Sequence, residues 1–248
     1  MNWVVLTSQD KVDGKFIQIK GPSQIHVKNI LHKTLGETLK VILPDQKKGI
    51  YRILQISDES IDLEELTLEN ITKTQHLQNT EIIFSLPRPQ TGKKILFLCG
   101  CYGVGKLTFI FPYHKNKEYL TSPLYNGKEM EEIYLGMSQS GNPYSTEINY
   151  IESFPKFLNE FPFKNAYVLH PNQKQIQSFK EDISISWEKE IFPKFIFGPE
   201  SGFLEKEINE FESLGAKIVG LGNVILRTEH AFHALLHQTN TWLETDST

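Results

Sequence analysis

An α/β domain preceded by a smaller β-rich one is the fold class this sequence predicts, and three observations predict it. Residues 3–70 carry short apolar runs separated by Gly, Pro, Asp and Lys turns, the rhythm of a small barrel. Beyond residue 80 the apolar runs become continuous, as in strands buried on both faces of a parallel sheet. Helical patterns lie between those runs, so strands and helices alternate.

The early strands are read at residues 3–6, 16–19, 38–43, 50–54 and 60–63. One helix interrupts them over residues 23–35. Ser23 is its expected N-cap, Gly36 its stop, and Ile25, Ile30 and Leu31 its apolar face. The polar stretch 69–80 reads as a boundary, which divides the chain into residues 1–72 and 73–248. Later strands follow at 82–86, 107–111, 166–169, 195–197 and 218–221. The clearest helix spans 203–214, where Phe203, Ile208, Phe211 and Leu214 recur and Gly215 ends the run. Thr228 opens a last helix to about Leu243. No internal repeat or low-complexity tract occurs.

Composition removes several classes. Hydrophobic residues make up 39% and charged residues 23% of 248, which excludes wholesale disorder. No run of 18 apolar residues occurs, so no membrane-spanning helix is expected. The first residues lack a basic segment ahead of an apolar core, so no secretory signal is expected. Cys99 and Cys101 cannot build a disulfide framework and read as reduced thiols of a cytoplasmic protein. With 26 Lys+Arg and 30 Asp+Glu the net charge is −4, so no chain-wide basic footprint exists. Charge is segregated, however: residues 1–52 carry +5, 53–85 carry −6, 86–128 carry +6 and 129–248 carry −9. The two basic blocks could form one polyanion patch, or their charge could cancel against neighbours as solvated faces. The only arginines are Arg52, Arg88 and Arg227.

Two motifs mislead. Gly100-Cys101-Tyr102-Gly103-Val104-Gly105-Lys106 matches the glycine spacing of a phosphate-binding P-loop. The next residue is Leu107 rather than a magnesium-holding hydroxyl, and residues 107–111 read as a strand where a long helix should open. His230, His233 and His237 fall on one helical face, but no Cys or carboxylate set completes a metal site. No metal is expected.

Two glycine-bearing loops carry the stronger signal. Phe195-Ile196-Phe197-Gly198-Pro199-Glu200-Ser201-Gly202-Phe203 is a strand, a tight turn and a helix start. Leu221-Gly222-Asn223-Val224-Ile225-Leu226-Arg227-Thr228-Glu229 repeats the arrangement. Ligands of open α/β sheets sit at the carboxyl ends of strands, where glycine lets a ligand approach the backbone. The plainer reading is two ordinary strand-to-helix turns. These blocks, with Leu169-His170-Pro171 upstream, resemble the RsmE family of the SPOUT superfamily, S-adenosylmethionine-dependent methyltransferases of a uridine ring nitrogen in 16S ribosomal RNA. His26-Val27-Lys28-Asn29-Ile30-Leu31-His32 followed by Gly36-Glu37 is similar to the family's barrel motif. Gly103-Val104 matches the end of a family helix, which absorbs the P-loop coincidence.

The resemblance implies a C-terminal trefoil-knotted methyltransferase domain, an N-terminal PUA-like β-barrel, and a homodimer with the cofactor at its interface. It implies S-adenosylmethionine contacts from Leu169, His170, Phe197, Gly198, Pro199, Glu200, Gly202, Leu221, Gly222, Ile225, Leu226 and Arg227. It places RNA contacts at His26, Lys28, His32, Lys33, Arg52 and Arg88, with 16S rRNA or the small ribosomal subunit as partner and no membrane. Arg227 is the candidate to hold charge developing on the uridine or a nearby phosphate. Glu229 is the candidate general base, or else a dipole partner at a helix start. The chain departs from the family pattern at Ser201, where a second glycine is usual, at His32 and Val224, where arginines are usual, at Cys101-Tyr102, and in the segments 112–114 and 138–144; several of these losses are arginines expected to touch RNA. They leave open a relative that binds RNA, or another substrate, without this activity.

Overall fold

A computed structural model describes residues 3–70, 76–111, 119, 121–171, 183 and 192–245. The expected boundary at 72/73 and the departure at 112–114 lie outside the described residues.

The first sheet contains β1 (Val4–Val5), β2 (Lys11–Asp13), β3 (Phe16–Ile19), β4 (Thr38–Leu43), β5 (Lys47–Ile56) and β6 (Ile61–Asn70). Their spatial order is β1-β4-β5-β6-β3-β2. Only β1 and β4 run parallel. Among the described residues β1 and β2 are edges. Alternation along β4 and β5 sends Leu39, Val41, Tyr51 and Ile53 into one core with Ile17, Ile19, Ile61 and Leu63, as period-two side chains require.

The helix between β3 and β4 differs from the expectation. The α-helical part, α1, covers only Gly21–Ile25, and a π-helical turn follows over His26–Ile30, where Leu31 N donates to His26 O at 3.0 Å. Ser23 is not the cap. It is buried inside the helix, and its hydroxyl donates to the Asp10 carboxylate at 3.0 Å. The widened turn also rotates the apolar face: Val27 is wholly buried, while Ile25 and Ile30 are more than half exposed. His32, in a left-handed conformation, ends the segment before Gly36 is reached.

The second sheet contains β7 (Glu81–Ser85), β8 (Lys106–Ile110), β9 (Glu147–Ile151), β10 (Ala166–Leu169), β11 (Lys194–Phe197) and β12 (Lys217–Val219). Every pairing is parallel, in the order β12-β10-β11-β7-β8-β9. Both faces are covered, which explains the continuous apolar runs. Ile82, Phe84, Phe195 and Phe197 pack on the side of α2 (Pro89–Tyr102), α3 (Glu129–Ser140) and α6 (Thr228–Thr245). Ile83, Ile196 and Val168 face α4 (Phe154–Glu160) and α5 (Glu205–Ser213), where Phe154, Phe157 and Phe211 pack.

The P-loop lookalike has the opposite order of elements. Gly100 lies within α2, Gly103 terminates it at φ 69°, and Lys106 begins β8. Helix, glycine, strand is the reverse of a phosphate-cradling strand, loop, helix. Each glycine has an internal reason. A side chain on Gly100 would strike the Ile133 backbone of α3, and one on Gly105 the Gln78 backbone. Gly136 of α3 answers Gly100 by meeting the Phe97 carbonyl of α2. Lys106 pairs with Glu81 at 3.4 Å.

Candidate active site at the strand ends

Because the strands of the second sheet are parallel, their carboxyl ends share one edge. A cavity of about 440 Å³ opens there, lined from the ends of four neighbouring strands, β12, β10, β11 and β7. That volume lies in the range of small-molecule sites.

Leu169 ends β10, and His170 and Pro171 follow it. His170 N donates to Val219 O at 2.9 Å, which carries the β10–β12 pairing to the cavity rim. Phe197 ends β11, and Gly198 to Phe203 follow it. Gly198 is needed for packing: a Cβ there would come within 3.1 Å of the Phe203 ring. Gly202 has φ +80° and closes a turn, donating to Pro199 O at 2.8 Å. The Glu207 carboxylate, at the third position of α5, reaches back to accept from Leu204 N at 2.7 Å and fixes the start of the helix. Leu221 to Thr228 follow β12. Gly222 sits at φ +131° with nothing within 4 Å of a notional Cβ. The position favours glycine for its backbone conformation and faces open space, which suits a ligand laid against the chain.

Every residue expected at the cofactor lines this cavity, and so do Arg227, Glu229 and Arg88. The remaining RNA candidates do not. Lys28 Nζ donates to Ser57 O at 2.6 Å, and Lys33 pairs with Glu37 at 3.1 Å. His26 is partly buried, and burial pushes its imidazole below the ordinary value. His32 and Arg52 are exposed on the first sheet's unit.

The acid–base groups divide clearly. Arg227 is exposed, and its carbonyl accepts from His230 N and Ala231 N as α6 begins. Glu229 is 8% exposed and pairs with Lys94 of α2 at 3.1 Å. Burial raises its carboxyl pKa, but a backbone N–H, Lys94 and His230 outweigh that and hold it below the ordinary value. It stands in the first turn of α6 with its carboxylate on Lys94. Arg88 pairs with Glu200 across the β7–β11 gap, Nε to Oε1 at 3.7 Å. Sequence reasoning missed Lys94 as a partner; its only signal was membership of the basic block 86–128. Among the described residues no group of three or more metal-ligating side chains occurs. His233 rests edge-on against Tyr102, with ring centroids 5.9 Å apart. No described helix is long and apolar enough to cross a membrane.

The family model for the RNA methyltransferase domain matches residues 74–240. A Treponema pallidum protein named ribosomal RNA small subunit methyltransferase E is 23% identical over 240 residues, 93% of this chain and 87% of that protein. Two solved structures share the fold, each with a TM-score of 0.77. One is a Neisseria gonorrhoeae ribosomal RNA small subunit methyltransferase E bound to S-adenosyl methionine, 18% identical over 97% of both chains. The other is a Legionella pneumophila methyltransferase in complex with the bound cofactor SAM, 17% identical over 97% of this chain and 98% of that one.

Proposed function

Because the chain belongs to the RNA methyltransferase domain family, we propose that it transfers a methyl group from S-adenosylmethionine to a uridine ring nitrogen, N(3), of 16S ribosomal RNA. One observation carries this reading: the residues expected at the cofactor come from three separate strand ends and meet in a single cavity.

S-adenosylmethionine, when bound, supplies an electrophilic methyl group on a sulfonium. The chain's residues supply the rest. Leu169, Phe197, Leu221, Ile225 and Leu226 offer apolar walls to a base and ribose, and the loop backbones at Gly198 and Gly222 offer hydrogen-bonding groups. The uridine imide must lose its proton for the nitrogen to attack, which leaves negative charge on the flanking oxygens. Arg227, exposed at the cavity and always cationic, is assigned to that charge or to a neighbouring phosphate. Glu229 keeps its charge on Lys94 and fixes the start of α6 behind Arg227.

The first sheet is assigned a PUA-like RNA-holding role, with Arg52 and His32 as its exposed candidates. Val224 and Ile225 are 72% and 74% exposed beside the cavity. Apolar side chains so placed support a homodimer in which a second copy covers the loop. The β12 loop and the crossed strand order support the trefoil knot that the resemblance implies. A ribosomal substrate supports a cytoplasmic location.

Mass spectrometry of ribosomal RNA from a deletion strain tests the reading; one methyluridine should be missing. Calorimetry should detect S-adenosylmethionine and not ATP. ATP binding abolished by Lys106→Ala, with no S-adenosylmethionine binding, would overturn it. A second reading, an RNA-binding relative without this activity, draws on Val224 standing where an arginine is usual. It requires unchanged rRNA in the deletion strain together with retained RNA binding.

A further inference from the structure

Arg88 has a backbone fixed at the start of α2 and an exposed side chain. Its backbone N–H donates to Glu200 Oε1 at 3.2 Å, and its carbonyl accepts from Thr91 N and Gly92 N at 3.0 and 2.9 Å as α2 begins. The preceding carbonyl, of Pro87, accepts from the buried Tyr125 hydroxyl at 2.7 Å. Burial, then the Glu200 and Glu129 carboxylates, raise the Tyr125 pKa, so that hydroxyl stays a donor. The same Glu200 oxygen that caps the backbone lies 3.7 Å from Nε of the guanidinium. Nε thus forms an ion pair with Glu200, longer than a hydrogen bond, while the two terminal nitrogens carry four further donors on a side chain 54% exposed at the cavity.

Position decides what those donors meet. The cavity spans the strand ends in the order β12, β10, β11, β7, and strands lie about 4.8 Å apart. Arg88 at β7 is thus roughly 14 Å along the edge from the β12 loop that holds Arg227. The glycine turns and apolar walls occupy the β12–β10–β11 part. The β7 end offers instead a charged pair whose terminal guanidinium nitrogens have no partner among the described residues. A planar fork with spare N–H groups fits a phosphate, and a lysine cannot be tethered at one nitrogen and still present two more.

We propose that Arg88 grips a phosphate of the RNA beside the target nucleotide, and that Glu200 is the positioning residue that holds the guanidinium ready. This rests on the reading as an RNA methyltransferase and deepens it. It moves Glu200 from the cofactor's contacts to the acceptor side. The cavity then has a donor end at β12–β10–β11 and an acceptor end at β7.

Filter binding of an unmodified 16S rRNA transcript against salt, calorimetry with S-adenosylmethionine, and single-turnover methylation test it together. Arg88→Gln should flatten the slope of log K against log salt by about 0.7–0.9, the loss of one phosphate contact, and leave S-adenosylmethionine affinity within about twofold. Glu200→Gln keeps an acceptor for the Arg88 N–H but not the charge. It should keep the wild-type slope while slowing methyl transfer roughly tenfold, as misorientation does. Arg88→Lys should behave likewise, keeping the slope and losing rate. The double variant should be no slower than Arg88→Gln alone, because the pair acts as one unit. An unchanged slope in Arg88→Gln overturns the proposal, and a tenfold weaker S-adenosylmethionine affinity would instead give the guanidinium to the cofactor. The salt slope needs no turnover. A wild-type protein that binds RNA with an Arg88-dependent slope yet methylates nothing therefore sinks the enzymatic reading and leaves the phosphate contact standing.

Discussion

Replacing Glu229 by Gln separates an anchor from a base. The carboxylate is 10% exposed and its partner Lys94 is 59% exposed, 3.1 Å away. Solvent around Lys94 screens the pair, which leaves about 0.2–1 kcal/mol for it. A negative charge in the first turn of α6 adds about 0.3–1 kcal/mol through the helix dipole. Glutamine keeps an acceptor, so the loss should be about 1 kcal/mol in urea unfolding at pH 7. The folded carboxyl titrates below its ordinary value of 4.5. Its contribution is therefore complete above that ordinary value and disappears as pH falls through the lower, folded one. The stability gap between wild type and variant should close in that acidic window. Single-turnover methylation at pH 7 should fall by no more than about threefold, whereas loss of a general base costs about a hundredfold to ten-thousandfold. A loss of that size with unchanged stability would refute the anchor assignment.

Arg227→Lys should leave stability within about 0.5 kcal/mol, since the side chain is exposed, yet slow single-turnover methylation about a hundredfold; a near-normal rate moves Arg227 to scaffolding. Gly222→Val forces a β-branched residue to φ +131°, a strain of about 1–3 kcal/mol, and calorimetry should show weaker S-adenosylmethionine binding; unchanged affinity places the loop outside the pocket. Gly100→Ala presses a methyl group onto the Ile133 backbone and should cost about 1–3 kcal/mol by thermal or urea unfolding; a neutral result would mean that α2 and α3 can part at no cost.

The strands most visible in the sequence are those buried twice over. Ile82, Ile83 and Phe84 alternate between the two cores, so no polar residue interrupts the run. Strand β9 was missed because it is an edge: Glu147 and Tyr150 are exposed in it, and the run carries little apolar signal. Helix α2 was hidden by its own packing. Gly92 and Gly100 are poor helix formers in isolation; they stand there because Tyr125 and the α3 backbone leave no room. The π-helical turn was illegible because residue spacing reads as an ordinary helix there. In the cavity, the glycine turns were legible because backbone conformation restricts residue choice locally. The ion pairs were not. Arg88 and Glu200 are 112 residues apart, Lys94 and Glu229 are 135 apart, and no local pattern records a partner at that distance.

The order in which strands join the second sheet has a consequence for how the protein is made. Among the described residues strand β10 has hydrogen-bonding neighbours only in β11 and β12, and β11 must enter between β10 and the earlier β7. As the chain leaves the ribosome, β7, β8 and β9 can assemble in sequence, but β10 has no place to pair until more than two dozen further residues have emerged. Such non-local pairing folds slowly. The half of the sheet that bears the cavity is thus the last to close. A chain truncated before β12 should keep its first sheet and the β7–β9 edge while lacking any ligand site. In the complete chain, a ligand seated on the strand ends would stabilise the late-formed half above all.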